Sequence, residues 1–188
     1  MAAKDKIDVN IFKTITRTIL QSDDMESLGN RLTNILVSQL DIKGATIFAL
    51  NPETEELEIL ASFGLSINFI NKGPVTATKS GRWASERKPV VVSDITKSDG
   101  FQYPDHIKKE GIAAIVSIPI IFHGKIIGLL RLYHYEIWNI SEQDIDTLNA
   151  IAEGLAMAML YSRILNALLS VKNTVNDVHS IWLKPQKR

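Results

Sequence analysis

The fold is decided by residues 112–135, which read IAAIVSIPIIF (112–122), HG (123–124) and KIIGLLRLYHY (125–135). Two long β-type runs flank a dipeptide that suits a tight turn, so the stretch predicts a β-hairpin with His123 and Gly124 at its tip. Continuing the register of a two-residue turn sets the cross-strand neighbours. The expected pairs are Phe122 with Lys125, Pro119 with Gly128, and Val116 with Arg131.

Alternation of side chains divides this hairpin into two faces. The face expected to meet helices, where a glycine permits close approach, holds Pro119, Gly128, Leu130 and Leu132. The opposite face holds Val116, Ile118, Leu129, Arg131 and Tyr133. An arginine among apolar side chains needs an anion, so Arg131 predicts a binding site for a carboxylate or phosphate. The alternatives are an internal salt bridge, for example with Asp94, and a solvated position on an open sheet face.

Working outward, helical periodicity occupies both ends of the chain. Isoleucines at 7, 11, 15 and 19 form one apolar stripe, and a second stripe runs from Met25 to Leu40. Short strands are expected at residues 45–50, 57–63 and 89–93. From Ser141 to about Trp182 nothing interrupts helical periodicity, and Ser141 with Asp144 resembles a capping box. This order predicts an α+β domain with an antiparallel sheet.

Composition and charge narrow the function classes. The chain has 188 residues, 45% of them hydrophobic, and 21 basic residues balance 21 acidic ones. We therefore expect one globular domain that attracts neither nucleic acid nor an anionic membrane. The absence of cysteine excludes disulfides, thiol catalysis, Cys-based metal sites and thioether-linked chromophores. The N-terminus lacks the apolar core of a secretory signal, and the apolar run 112–122 is too short to cross a bilayer, so a cytoplasmic protein is expected.

Four segments, in order, resemble the GAF family of sensory domains. They are residues 41–52 (DIKGATIFALNP), 80–94 (SGRWASERKPVVVSD), 111–132 with the hairpin, and 140–148 (ISEQDIDTL). The resemblance covers about residues 25–161. It implies a central antiparallel sheet with helices on one face and a small-molecule pocket on the other. Members that bind cyclic nucleotides carry Phe and Glu where this chain has Ile140 and Ile145, so a cyclic nucleotide is not the expected ligand.

The resemblance implies a sensory or regulatory role, and no catalytic triad or nucleophile elbow suggests an enzyme. The leading expectation is a domain that binds a small anionic metabolite. Its expected ligand-binding residues are Arg131, Tyr133, Val116, Ile118, Leu129, Asp94, Trp83, Phe101 and Tyr103. One alternative is a dimerisation or partner-docking module with an empty pocket. The other is a haem-based sensor with His134 as the axial ligand; no other cofactor and no metal is expected.

The last helix carries a second apolar stripe beyond the predicted domain. It steps by three and four residues in the manner of a heptad seam and consists of Tyr161, Ile164, Leu168, Val171, Val175, Val178 and Trp182. The seam predicts a homodimer through the terminal helices; the alternative is cover by the N-terminal helix of the same chain. The expected divisions are residues 1–22 for that helix, 23–161 for the GAF-like domain and 162–188 for the extension. A separate signalling output protein is a further expected partner.

Overall fold

A six-stranded antiparallel sheet forms the centre of the molecule. The structure, a computed structural model, describes residues 5–22, 24–76, 86–99 and 101–183, with side chains up to residue 176. In this part of the chain the strand order is β3-β2-β1-β6-β5-β4. The strands are β1 Gly44–Leu50, β2 Glu56–Phe63, β3 Val75–Thr76, β4 Val90–Val92, β5 Ala114–Phe122 and β6 Lys125–His134.

Three helices lie on one side of this sheet, where the second and the last pack on the strands and the first packs on those two helices. They are α1 Val9–Gln21, α2 Met25–Leu40 and α5 Glu142–Leu183. Between the strands lie the short helices α3 Ile67–Ile70 and α4 Pro104–Lys109, and a 3-10 turn at Ile95–Lys97. The expected α+β class, the antiparallel sheet and the long closing helix are therefore confirmed. The hairpin strands and α2 also lie within two residues of their expected bounds.

The hairpin turns where the sequence predicts it. His123 and Gly124 both have positive φ, 45° and 73°, which is the geometry of a tight two-residue turn whose second position favours glycine. Phe122 pairs with Lys125 as expected. Beyond that pair, Ile121 faces Ile126 but Ile120 faces Gly128, so Ile127 is an extra residue in β6.

This β-bulge corrects the rest of the expected register. Arg131 pairs with Ser117, not with Val116, and Leu129 pairs with Pro119. A shift of one residue turns every β5 side chain to the opposite face of the sheet. Val116 and Ile118, expected beside Arg131, belong to the core under the helices.

The helix-side core is where most of the apolar surface is buried. It is built from alternate residues of the hairpin and from one stripe of α5, and includes Val116, Ile118, Ile120, Leu130, Leu132, Leu148, Ile151 and Leu155. Gly128 lies where backbone approaches backbone. A Cβ there would collide with the Phe48 carbonyl oxygen and lie 3.1 Å from Met159 Cε of α5. The glycine on the helix-facing side of β6 is thus required by close packing.

The segment before α1 is tied to the start of α5. The two carboxylate oxygens of Asp144 accept hydrogen bonds from the backbone N–H groups of Lys6 and Ile7, each at 2.9 Å. The Ser141 hydroxyl accepts a hydrogen bond from Asp144 N at 3.0 Å, so this half of the expected capping box forms. The Asp144 carboxylate does not cap its own helix, because its oxygens accept the hydrogen bonds from the N-terminal segment instead.

Helix α5 extends well past the sheet. Its first half is a core element, and Gly154 lies under Ile19 of α1. From residue 163 to residue 176 every side chain is exposed. By length and composition alone, Glu142–Asn176 would suffice to cross a membrane, a test that core helices of globular domains also pass. Because α1 covers only the first half of α5, the N-terminal helix does not cover the seam between residues 163 and 176, the part whose side chains the structure describes.

Candidate ligand site on the sheet face opposite the long helices

Four polar residues lie side by side across the middle of the sheet, on the face turned away from α1, α2 and α5. Thr46 of β1 pairs with Ser62 of β2 on one side and with Arg131 of β6 on the other. Arg131 pairs in turn with Ser117 of β5. We call this set, Ser62, Thr46, Arg131 and Ser117, the polar row. Cross-strand pairing places its members in contact although they are distant in the chain.

The polar row is a buried hydrogen-bonded set. Arg131 Nε donates to Ser117 Oγ at 3.1 Å, and the hydroxyls of Thr46 and Ser62 lie 3.1 Å apart. Arg131 is 8% exposed, Ser117 4% and Thr46 1%. The guanidinium carbon lies 5.9 Å from the centre of the Phe48 ring, so an aromatic face supports the cation from one side. Burying several polar side chains next to one another lowers stability unless each has a hydrogen-bond partner.

Two apolar clusters flank the polar row. The Leu129 cluster consists of Phe48, Leu57, Val75 and Leu129, with Tyr103 packed against it. The Tyr133 cluster consists of Phe69, Ile107, Ile112, Ile115 and Tyr133, with Phe101 packed against it. A few polar groups set between apolar walls is the usual make-up of a small-molecule site.

Tyr133 joins the polar row to the second cluster. Its ring meets the Phe69 ring edge to face at 5.5 Å. Burial raises the pKa of Tyr133 and outweighs the opposing effects of Arg131 and Thr46. The phenol therefore stays neutral and serves as a hydrogen-bonding group beside the guanidinium.

Three of the charged groups near the Tyr133 cluster are Lys72, Lys43 and Glu110. Lys72 Nζ donates to the Phe69 carbonyl oxygen at 2.9 Å. Glu110 accepts from Ser66 N at 2.8 Å and from the Ser66 hydroxyl, and lies 3.6 Å from Lys43 Nζ. Burial alone would raise the pKa of Glu110, but the Ser66 hydrogen bonds and Lys43 hold it below its ordinary value. In the described ranges, no group of three metal-ligating side chains is close enough to hold a metal ion.

A comparison with family models identifies the family. The family model described as "GAF domain" matches residues 22–159. The chain belongs to the GAF domain family. No curated protein sequence matches it.

Solved structures with this GAF domain's fold come from several kinds of protein. The GAF domain of a phosphoenolpyruvate-protein phosphotransferase from Coxiella burnetii superposes with a TM-score of 0.77 at 19% identity, covering 85% of this chain and 96% of its own. A free methionine-R-sulfoxide reductase from Neisseria meningitidis, in complex with its substrate, gives 0.70 at 14% identity, covering 87% and 98%. The nlh2 GAF domain of A. aeolicus, in an inactive state, gives 0.65 at 21% identity, covering 81% and 95%. At these identities the likeness concerns the fold.

The expected site residues of this GAF domain divide into those that share the open face and those that do not. Arg131, Tyr133 and Leu129 share it, and Phe101 and Tyr103 lie in the flanking clusters. Asp94 caps the 3-10 turn, where it accepts hydrogen bonds from Thr96, and it lies 3.3 Å from Lys97 Nζ. Those Thr96 hydrogen bonds, with Lys97, lower the pKa of Asp94. Trp83 lies outside the described residues.

His134, the expected haem ligand, lies on the other side of the sheet. Its Nδ1 accepts a hydrogen bond from Glu136 N at 3.0 Å, and its Nε2 lies 3.1 Å from Lys6 Nζ. The ring is also in contact with Trp138, at 5.2 Å between centres, and the residue is 4% exposed. Both ring nitrogens are thus engaged within the protein, and this arrangement gives no support to axial ligation of haem.

Sequence reasoning missed four residues that help to build the site: Thr46, Ser62, Ser117 and Lys72. Ser117 had a visible signal, since it is the one hydroxyl in an otherwise apolar strand. Thr46 and Ser62 are ordinary strand residues, and only the sheet order reveals that Thr46 pairs with Arg131 and Ser62 with Thr46. Lys72 follows a four-residue helix that the periodicity of the sequence does not mark.

Proposed function

We propose that this chain is a sensory GAF domain that binds a small anionic metabolite over the polar row and reports its presence through the terminal helices of a cytoplasmic homodimer. A non-catalytic role is part of the proposal. The chain has no cysteine, so thiol-dependent reduction is unavailable to it.

The buried Arg131 carries the ligand part of this proposal. A guanidinium offers five N–H donors in a planar fork and suits carboxylate and phosphate groups. In this chain it lies among hydroxyl groups, between two apolar clusters, on the sheet face turned away from the long helices. In this arrangement the guanidinium at the centre can bind an anionic group, and the apolar clusters on both sides can contact the rest of the ligand.

Replacing Arg131 with Leu tests the ligand site. Carboxylates and phosphates are screened for thermal stabilisation of the parent, and an anion that raises the melting temperature should no longer do so in Arg131→Leu. Arg163→Leu is the matched control, because Arg163 is an exposed arginine on α5. Equal shifts in all three proteins would remove Arg131 from the site.

The exposed stripe of α5 carries the dimer part. Ile164, Leu168, Val171 and Val175 are 52–62% exposed and recur with heptad spacing. Val178 and Trp182 continue the spacing, but their side chains lie outside the described residues. A single helix that projects from a domain without a partner is marginal in water, and a second copy of the same stripe is the partner that the heptad pattern fits.

Burial of the stripe is large enough to offset the cost of association. Fully burying one Val, Leu or Ile side chain contributes about 1.5–3 kcal/mol. Because these side chains are 52–62% exposed, burying four of them in each protomer gives about 6–15 kcal/mol, which is comparable with an association cost of about 4–15 kcal/mol. A groove of about 680 Å³ between α1, α2 and α5 extends the apolar surface, because it is lined by Leu20, Met25, Met157 and Tyr161, where the stripe begins. This continuity supports a bundle to which α1 also contributes.

Charge placed in the stripe should dissociate the dimer. Val171→Glu with Val175→Glu puts four carboxylates into a dimer seam, and light scattering should then report about half the parent mass. Asn166→Glu with Asn173→Glu is the control, since both asparagines are exposed and lie opposite the stripe on the same helix. A parent that runs as a monomer of 21.0 kDa at tens of micromolar would exclude the dimer.

Strand β6 offers the link between ligand and helices. The side chains of Arg131 and Tyr133 lie on the face of β6 that carries the polar row. Those of Leu130 and Leu132 lie on the other face and pack into the core beneath α5. A ligand that draws Arg131 shifts β6 and, through its pairing with β5, the strand against which α5 mainly packs, so occupancy biases the position of the helix.

The exposed stripe also favours the second candidate function, a dimerisation or docking module with no ligand. Native mass spectrometry of gently purified protein separates the two functions. A dimer that carries added small-molecule mass, lost in Arg131→Leu, supports the sensor; an unliganded dimer that no anion stabilises supports the docking module.

A further inference from the structure

The segment before α1 is held on the domain by backbone contacts and by one side chain. The backbone contacts are the hydrogen bonds from Lys6 N and Ile7 N to the carboxylate of Asp144. The side chain is that of Lys6, whose Nζ donates to the Leu40 carbonyl oxygen at 3.2 Å and lies 3.1 Å from Nε2 of His134. The segment therefore connects the start of α5 with the ends of α2 and β6.

The surroundings of His134 fit a neutral imidazole and not a protonated one. Its Nδ1 accepts a hydrogen bond from Glu136 N at 3.0 Å, and a backbone N–H group can only donate. A protonated imidazole carries a hydrogen on both nitrogens and accepts at neither. Protonation therefore sets a ring hydrogen against the Glu136 N–H group. It also places a positive ring beside the ammonium group of Lys6.

Lys6 is the partner that can respond to this charge. The neutral ring has its hydrogen on Nε2, towards Nζ, so Lys6 is held by the Leu40 carbonyl oxygen and by the Trp138 ring, whose centre lies 5.4 Å from Nζ. His134 is 4% exposed, whereas Lys6 is an exposed residue. Because like charges repel and the imidazole is enclosed, a positive ring drives the Lys6 side chain outward into water.

We infer that His134 is a pH-sensitive switch for the segment before α1: when the ring takes up a proton, Lys6 is displaced and the segment detaches from α5 while the sheet stays folded. This inference goes beyond the proposed function, because it uses no residue of the polar row. It makes protons a second input to the domain, which acts at the end of the chain where α1 begins.

The charged and titratable groups around His134 set the direction of the switch. Burial first, and then the positive charge of Lys6, lower the pKa of His134, against the opposing effects of Glu136 and Asp41. The Tyr135 ring lies 4.7 Å from the imidazole, and its hydrogen bond to Asp41 and then burial raise the pKa of Tyr135, so this phenol stays neutral. The segment is therefore held fully above about pH 6.5 and is released as the pH falls below that value.

Amide hydrogen exchange of the full chain between about pH 7.5 and 5.5 tests the switch, in a range above the ordinary titration of carboxyl groups. After correction for the intrinsic exchange rates, protection at the Lys6 and Ile7 amides should fall by about tenfold as one proton is taken up. The fall should follow the titration of the His134 ring, measured by nuclear magnetic resonance. The Leu130 and Leu132 amides of the central strand β6 should keep their protection.

Three variants assign the change to His134. His134→Asn supplies a side-chain oxygen as acceptor but takes up no proton, so protection at Lys6 and Ile7 should no longer depend on pH in this range. His123→Asn is the matched control, because His123 is exposed and its φ of 45° suits asparagine; it should behave as the parent does. Lys6→Met should raise the midpoint of the His134 titration, since the charge of Lys6 opposes ring protonation.

A loss of protection that is confined to Lys6 and Ile7 and absent from His134→Asn supports the switch. Equal pH dependence in His134→Asn and in the parent would refute it. An equal loss at Leu130 and Leu132 would also refute it, because the whole domain would then be unfolding. If His134→Asn does not fold, Lys6→Met decides the matter: a raised His134 midpoint supports the coupling, and an unchanged midpoint overturns it.

Discussion

Replacing Asp144 with Asn tests how the N-terminal segment is anchored. The change keeps the size of the side chain, removes its charge and turns one oxygen into an NH₂ donor. In the folded protein each carboxylate oxygen accepts one backbone N–H, from Lys6 or from Ile7, at 2.9 Å. Asparagine retains at most one of these hydrogen bonds and sets its own amide against the other N–H.

The size of the expected loss in the free energy of unfolding follows from the burial of Asp144. Asp144 is 1% exposed, so water cannot replace the lost acceptor. A hydrogen bond to a charged group contributes about 1.5–3 kcal/mol, and leaving a buried donor unpaired costs about 1–3 kcal/mol. These terms overlap, and we expect the free energy of unfolding to fall by about 2–4 kcal/mol. That is a large part of the ~5–15 kcal/mol that stabilises a typical domain.

Urea unfolding followed by circular dichroism measures this change, and amide hydrogen exchange locates it. Exchange at the Lys6 and Ile7 amides should accelerate in Asp144→Asn. The control is Asp146→Asn, an exposed carboxylate on the same turn of α5, which should stay within about 0.5 kcal/mol of the parent. An Asp144→Asn protein as stable as the control, with both amides still protected, would refute the anchoring role.

Gly128→Ala should destabilise the fold by about 1–3 kcal/mol or more, because the new methyl group collides with the Phe48 carbonyl oxygen of the neighbouring strand; an unchanged urea midpoint would contradict this packing. Burial first, and then the charge of Lys6, lower the pKa of His134 below 6.5. The folded state therefore binds this proton less readily, so the His134 contribution to the free energy of unfolding is complete above about pH 6.5 and is lost as the pH falls below that value. His134→Asn should flatten the dependence of the urea midpoint on pH between about 7 and 5 relative to the parent, and equal slopes would count against it.

The sequence alone located the elements because their signals are local. Helix periodicity marked α2 and α5, and the His123-Gly124 turn between two β-type runs marked the hairpin. The arginine within β6 also identified correctly which residues of that strand face away from the long helices, since residues two positions apart in a strand lie on the same face. The heptad spacing of the α5 stripe could also be recognised from the sequence. Its burial against a second copy of the chain stays a prediction.

The face assignment of β5 depended on the tertiary structure. From Ala114 to Ile120 every residue of β5 is buried, because the strand has protein on both faces. A strand buried on both sides shows no alternation of polar and apolar residues, so its register cannot be read from its composition. The bulge at Ile127 then decided the register, and with it the exchange of Val116 for Ser117 beside Arg131.

Asp144 and Lys72 show the same division at the level of single side chains. The sequence around Asp144 predicted a capping box, which is a local contact. In the folded protein the Asp144 carboxylate instead accepts hydrogen bonds from the backbone N–H groups of Lys6 and Ile7, near the other end of the chain. Lys72 acquires its place only when Phe69 packs on Tyr133 and brings a loop over β6. Local pattern determined which residues are helix, strand and turn in this protein. Contacts between residues far apart in the chain, which no local pattern encodes, decided which side chains meet at the candidate site.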